Sequence, residues 1–468
     1  MPANIMTLFP HLLSFLEAGK LPIQTAAAMT TAGNRTFDLG MDLVKAWQRY
    51  TFRAWNRAVP LCAPGSADAV VRALSACEKG SRRMLDVVSD TVSGGLVCFQ
   101  RERMGELDFL RLFTDDPPPQ DWDTALDDSR LLLDLPGIRL IDISGTLDHR
   151  IGNYTVVFAP RAGHHSNIAE RVATFLRDRG LTRMAVVEQK CAEEIPLEVD
   201  GRRHEEGFDG QVAQYRRVLA HLKRLTGHPP HLVAICQPGP LLISTLIRYP
   251  DLGKTFGTAG SPMHTEAEKG FLTDLARMAG PAFLDRMMTC FPLAIDGNRR
   301  GKGRKGYDGR LQVLGFYMLG MEHHMRNLKR LLADLNDGNQ EQADRQKAFY
   351  HWYNTVYHFP AGFIRDTYRK IFVGNDLIHG RLTIAGRTLG IGDYPGSVPI
   401  WALGGSRDDI APPGQATGHL PLIDSVKEQD KLSLVCDGGH MALFRSAKVL
   451  QAYYTKIAGF MLAHSDGK

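Results

Sequence analysis

Cys236 stands in the segment His231-Leu-Val-Ala-Ile-Cys-Gln-Pro-Gly-Pro240, where one short apolar run meets a turn and another begins. The pattern predicts a strand, a sharp turn and a helix, with the sulfur at the turn. Ala234 and Pro238 flank the cysteine at minus two and plus two, where strand and helix nearly touch and bulk would clash. Such an elbow lifts its central side chain off the end of a sheet and aims the next backbone N–H at the same space. Here that N–H belongs to Gln237, and it can help stabilise an oxyanion. A free thiol titrates near pH ~8.5, so a cysteine nucleophile needs a base or a cation beside it at neutral pH.

The partners lie downstream. Val398-Pro-Ile-Trp-Ala-Leu403 reads as a buried strand and runs into Gly404-Gly-Ser-Arg-Asp-Asp-Ile-Ala-Pro412. Leu432-Ser-Leu-Val-Cys436 reads as another, followed by Asp437-Gly-Gly-His440 and a helical stretch over 446–460. A histidine behind two glycines can swing toward a neighbouring strand end. The order nucleophile, acid, histidine is that of the α/β-hydrolases. In this reading His440 takes the thiol proton and returns it to the leaving alcohol. Asp408, three after Gly405 and four before Pro412, orients the imidazole and stabilises its charged form, with Asp409 as the alternative. A second oxyanion donor is expected from Ala159-Pro-Arg-Ala-Gly-His-His165, the loop after an early strand, at Arg161 or Ala162.

With these residues in view, the chain resembles the intracellular polyhydroxyalkanoate (polyhydroxybutyrate) depolymerases, α/β-hydrolases with a catalytic cysteine. The likeness runs through Ala159-Pro-Arg-Ala-Gly-His164, Val233-Ala-Ile-Cys-Gln-Pro238, Phe363-Ile-Arg-Asp-Thr-Tyr368, Gly380-Arg-Leu-Thr-Ile384, Arg407-Asp-Asp-Ile410 with Gly414-Gln415, and Gly439-His440. It covers roughly residues 135–465. It implies a Cys–Asp–His triad on Cys236, Asp408 or its neighbour, and His440, and hydrolysis of stored amorphous polyester inside the cell. The resemblance also implies an Asp-Trp pair after the next strand, where this chain has Val186-Val-Glu-Gln189. Related polyester synthases carry a Gly-x-Cys-x-Gly box; Pro238 in place of the second glycine favours the depolymerase side.

Composition sets outer bounds. The chain has 468 residues, 44% hydrophobic and 23% charged, with a net charge of +5. That is long enough for a large core and ordinary for a soluble enzyme. The mild charge and the lack of a recognisable motif exclude a nucleic-acid binder as the first reading. Seven scattered cysteines suggest a reducing cytoplasm rather than a disulfide framework. No Cys-x-x-Cys or His-Glu-x-x-His spacing is present, so neither metal nor other cofactor is expected; Glu322-His-His324 reads as a polar helix face. The start of the chain lacks a secretory pattern, and no apolar run approaches the ~20 residues of a membrane span.

The elements that must position the chemistry fall into four stretches. Residues 1–130 read as a helical N-terminal region. Within 38–58, Leu39, Leu43, Trp47, Tyr50 and Ala54 form an apolar stripe, and Lys45, Arg49, Arg53 and Arg57 a basic one that could rest on an anionic granule coat. Over 136–262, apolar runs at 138–143, 154–158, 184–188 and 231–235 alternate with helical stretches. This predicts a mostly parallel sheet with helices on both faces. Residues 263–395 read as a helical cap or lid insertion, and 396–468 as the second part of the sheet domain. Cap aromatics, with Trp352, Tyr357 and Phe359 foremost, are candidates for lining an apolar polymer groove. The basic stretch Arg299-Arg-Gly-Lys-Gly-Arg-Lys305 could meet polymer carboxylate ends, granule phospholipid or the phosphates of coenzyme A. The expected partners are therefore a polyester granule surface or short 3-hydroxyalkanoate oligomers, with coenzyme A open as an acceptor beside water. Two other readings stand beside the depolymerase. One is an acyltransferase, thioesterase or synthase-like enzyme on the same triad. The other is a catalytically weak granule-binding protein.

Overall fold

In the computed structural model, eight strands form one sheet: β1 (Leu131–Asp134), β2 (Ile138–Asp142), β3 (Thr155–Phe158), β4 (Met184–Gln189), β5 (His231–Ile235), β6 (Thr255–Ala259), β7 (Ile400–Gly405) and β8 (Lys431–Cys436). Their order is β1-β2-β4-β3-β5-β6-β7-β8. β2 is antiparallel to both its neighbours, and every pair from β4 to β8 is parallel. Parallel neighbours need crossovers, and the helices that supply them cover both faces. That is why β3, β4 and β5 are unbroken buried runs rather than alternating ones. On one face Val157, Val186, Val233, Ile235 and Leu403 pack under helix α1 (Glu170–Arg177) and the C-terminal segment carrying Tyr454, Ile457 and Met461. On the other, Phe158 meets the ring of Tyr215 edge-on from α2 (Phe208–Thr226). This strand order and direction are those of the α/β-hydrolase fold.

The described residues are 108–109, 111–112, 115, 117–122, 124, 130–144, 151–293, 295 and 297–467. The apolar and basic stripes expected over 38–58, and nearly all of the helical region expected over 1–130, lie outside them. The chain divides into two compact units. One holds the sheet and comprises Gln120–Met288, Pro292–Arg310 and Val356–Lys468. The other contains Leu311–Thr355, where Met325, Leu328, Leu331, Leu332, Ala343 and Tyr350 share a core with Phe109 and Leu112. The stretch 263–395 is thus shared between the units rather than belonging to one of them. Two of its helices, Gly309–Leu319 and Met321–Asn336, are separated at Gly320. Among the described residues no helix is long and apolar enough to cross a membrane, and no group of three or more acidic, histidine or cysteine side chains could hold a metal ion.

Two strands escape the apolar-run criterion. β1 is short and partly exposed at the sheet edge. β6, Thr-Phe-Gly-Thr-Ala, has glycine at its centre because Gly257 pairs in register with Trp401 of β7. A Cβ at Gly257 would lie 1.7 Å from Cε2 of the Trp401 indole, which is fully buried. Gly257→Ala is expected to destabilise the fold by about 3 kcal/mol through overpacking. Adding Trp401→Leu should recover part of that loss in urea titrations, because the two changes share one space.

Candidate active site

Cys236 follows β5 with φ of 60°, one of four non-glycine residues with positive φ among those described. A side chain in this left-handed region is strained and persists only where its surroundings over-determine it. Here the Cys236 N–H donates to Ala259 O at 2.8 Å, locking the turn to the end of β6. The helix α3 (Gly239–Arg248) then starts at once. The closest approach falls at Gly239, where a Cβ would lie 2.7 Å from Ser261 Cβ and 2.8 Å from Met263 Sδ. Pro238 precedes it as the helix N-cap. The glycine that the turn needs is therefore three residues after the cysteine.

Histidine and acid arrive from the next strands across the sheet. His440 follows β8 and Asp408 follows β7. The two loops touch: Arg407 N–H donates to Gly438 O at 3.0 Å, and a Cβ on Gly405 would come within 2.5 Å of the same oxygen. His440 Nδ1 bonds Asp408 Oδ2 at 2.7 Å, both side chains being buried. The other oxygen, Oδ1, accepts from the N–H groups of Ile410 and Ala411, each at 2.9 Å. Both carboxylate oxygens are thus held. Asp409, the alternative, is exposed to solvent. Burial alone would suppress the His440 charge. The Asp408 carboxylate and the Cys236 side chain, each by charge and by hydrogen bonding, more than offset it and hold His440 well above 6.5. With Nδ1 on Asp408, Nε2 is the nitrogen left for the sulfur. Gly260, at φ of 57° just past β6, gives the ring its floor: a Cβ there would lie 3.1 Å from His440 Cε1 and 2.8 Å from a Leu443 methyl. Phe444 closes the ring's other side edge-on, at 5.2 Å between centroids.

The loop after β3 lies beside the elbow, because β3 and β5 are neighbours. The N–H of Arg161 donates to Gln237 Oε1 at 3.4 Å. The Arg161 side chain turns inward and fastens the loop from behind. Its guanidinium donates to Gly137 O at 2.8 Å, pairs with Glu206 at 3.4 Å and lies 4.8 Å over the Phe363 ring. Glu206 is fully buried, which by itself would raise its pKa; His204 at 2.7 Å, Arg161 and Gln214 bring it below the ordinary carboxylate value. Ala162, the other donor candidate, follows half-buried in the same loop, and the loop's exit is tied by Tyr357 N–H to Gly163 O at 2.8 Å. Neither Glu206 nor Gln214 carries a sequence signal: both look like solvated charge or amide until the fold buries them.

At the end of β4, Glu188 accepts from Arg139 at 2.8 Å, from His165 Nε2 at 3.1 Å and from the Trp122 indole N–H at 3.1 Å. Burial opposes its charge, but His165 and Arg139, each by hydrogen bonding and by charge, bring its pKa down to about 2. Glu188 and the Trp122 indole thus meet across 66 residues of sequence.

The aromatic candidates divide. Tyr357 is half-buried and meets the His165 ring edge-on. Phe359 is sealed against Tyr307 and only 2% exposed, which makes it a core side chain rather than a groove wall. Trp352 belongs to the other unit, where it packs on Phe349 and Tyr353 and is 4% exposed. In the basic stretch, Arg304 turns inward to the carbonyls of Ile195, Pro196 and His204. Lys302 and Lys305 remain exposed. His324 of the expected polar face is buried beside Tyr350, and burial lowers its pKa to about 4.

Residues 260–465 match the family model described as PHB de-polymerase C-terminus. No curated protein sequence matches the chain. Solved structures similar to it include a monoacylglycerol lipase from Paleococcus ferrophilus, at 15% identity and TM-score 0.39, covering 68% of this chain and 98% of that one. Another is a soluble variant of monoglyceride lipase from Saccharomyces cerevisiae with a substrate analogue, at 11% identity and TM-score 0.44, covering 75% and 99%. An α/β-hydrolase fold protein from Nakamurella multipartita matches at 15% identity and TM-score 0.36, covering 70% and 96%.

Proposed function

We propose that this chain, a carboxylic ester hydrolase whose residues 260–465 carry the PHB depolymerase C-terminal domain, cleaves 3-hydroxyalkanoate ester bonds with Cys236, His440 and Asp408. The observation that carries the reading is a buried imidazole with Asp408 on one nitrogen and the cysteine of a strained elbow as its other partner. Cys236 Sγ attacks the ester carbonyl carbon, its proton residing on His440 Nε2. The carbonyl π electrons move to oxygen, where the N–H groups of Gln237 and Arg161 receive the charge. Collapse breaks the C–O bond, and His440 gives its proton to the departing 3-hydroxyl. Water then attacks the thioester, losing a proton to His440, and the tetrahedral adduct expels the sulfur and frees the carboxylic acid. Asp408 keeps Nδ1 protonated and the ring in place throughout.

An aliphatic polyester offers few polar handles, so recognition rests on apolar contact and the oxyanion donors. The family match supports a polyester as the substrate class; the acceptor proposed is water, with coenzyme A as the competing thiol. Brief exposure to a 3-hydroxybutyrate oligomer, quenched in acid, should give one acyl adduct by intact mass on the peptide containing Cys236, and free hydroxyacid in the supernatant. An adduct on another residue removes the mechanism. Polymer made from hydroxyacyl-coenzyme A moves the chain to the synthases, and acyl-coenzyme A formed from oligomer and free thiol makes it a transferase.

A further inference from the structure

Gln237 is buried, with only 8% of its surface exposed, yet its Nε2 has no hydrogen-bond partner among the described residues. Its Oε1 meanwhile accepts from the Arg161 N–H at 3.4 Å, well beyond the usual N–H···O distance near ~2.9 Å. The carboxamide cannot gain by exchanging its two ends. Reversing it would set Nε2 against the Arg161 N–H, donor against donor. A buried amide donor without a partner is costly, and such groups are rare unless a ligand or a catalytic step uses them. This one sits on the residue next to the nucleophile, and its oxygen is on the very N–H that an acyl oxygen would take.

We infer that the Gln237 carboxamide is a further catalytic group: its Nε2 donates to the acyl oxygen of the substrate. The inference rests on Cys236 being the nucleophile. The oxygen of a bound ester displaces Oε1 from the Arg161 N–H, and the weak bond gives way readily. Once negative charge develops on the acyl oxygen, an adjacent amide oxygen repels it and an adjacent amide N–H attracts it. The torsion that ends in a carboxamide is broad and twofold, so the head turns over at little cost and brings Nε2 to the oxyanion. The unmet donor of the free chain becomes a third donor beside the backbone N–H groups of Gln237 and Arg161. It strengthens as charge forms, so it should act on kcat rather than on KM.

The test uses Gln237→Met, which keeps length and bulk without a donor, and Gln237→Glu. With a soluble 3-hydroxybutyrate oligomer, Gln237→Met should lose about a hundredfold in kcat, the loss typical of one oxyanion donor, with KM within about threefold. Alkylation of Cys236 by iodoacetamide should proceed at the wild-type rate, showing an intact elbow. Gln237→Glu should be the less active at neutral pH, where its carboxylate faces the oxyanion. Its activity relative to wild type should climb as pH falls and the protonated acid regains an O–H donor, a recovery that a merely structural amide would not produce. If Gln237→Met alkylates slowly, the pH dependence of the Gln237→Glu ratio decides alone. A kcat for Gln237→Met within twofold of wild type, or a flat Gln237→Glu ratio, overturns the inference. Labelling of Cys236 together with an inactive Cys236→Ala shows that such a failure belongs to the carboxamide and not to the nucleophile.

Discussion

Cys236→Ala is expected to release no measurable hydroxyacid from amorphous granules or soluble oligomers, and Cys236→Ser to be almost as inactive. The alanine result follows from removing the atom proposed to attack. The serine result is the sharper one, because it depends on the charge of His440. Asp408 and Cys236 hold that imidazole well above 6.5, which favours its charged form while it faces the sulfur. A thiol can surrender its proton to such a ring and remain as thiolate beside it. An alcohol cannot: it needs a neutral imidazole to take the proton during attack, and Asp408 alone still favours the charged ring. Cys236→Ser should therefore fall by about three orders of magnitude or more, the scale on which nucleophile replacements act. Rising activity of the serine variant at alkaline pH, where the imidazole loses its proton, would fit the same account. Wild-type rates in Cys236→Ala would end it. Both variants keep a β-carbon at φ of 60°, so the elbow bears the same backbone strain and their urea midpoints should stay near wild type.

What the sequence makes legible, and what it hides, divides along physical lines. β5, β7 and β8 are readable because each is an apolar run that stops at abrupt punctuation, Cys-Gln-Pro, Gly-Gly-Ser and Asp-Gly-Gly. Loops at those stops can only emerge at one edge of a parallel sheet. β6 is hidden because its central position is filled by the indole of its neighbour, so Gly257 reads as a breaker until Trp401 is set beside it. Gly260 and Gly239 are hidden for a related reason. Their spacing is set by close approach to His440 and to Ser261, contacts between distant parts of the chain. The division between the two units is likewise a matter of long-range packing, since Phe109 and Leu112 join a core with helices more than two hundred residues downstream. Glu188 and Trp122 make the same point. Nothing in the sequence around Glu188 points to the indole it meets, because Trp122 lies 66 residues earlier.

The choice between two adjacent aspartates, which spacing leaves open and for which burial favours Asp408 in the proposed role, yields the second large effect. Asp408→Asn should lower kcat/KM by about a thousandfold or more, whereas Asp409→Asn should stay within about twofold, as exposed substitutions do. The asymmetry comes from partners. Asp408 is buried, gives one oxygen to His440 Nδ1 at 2.7 Å and the other to the N–H groups of Ile410 and Ala411. In Asp408→Asn the new carboxamide could keep the two backbone bonds through its carbonyl, but its NH₂ would then face Nδ1. That geometry favours the tautomer with the proton on Nε2, so the nitrogen next to the sulfur could no longer accept. The charge effect runs the same way. The carboxylate raises the His440 pKa, so removing it lets burial pull that value down. The imidazolium loses its proton as pH rises through its pKa, so the alkaline limb of the kcat/KM profile should move to lower pH in Asp408→Asn and stay put in Asp409→Asn. A profile that shifts in Asp409→Asn instead would assign the role to the wrong neighbour. An unshifted limb in both would mean that the imidazole is not charged when the enzyme turns over.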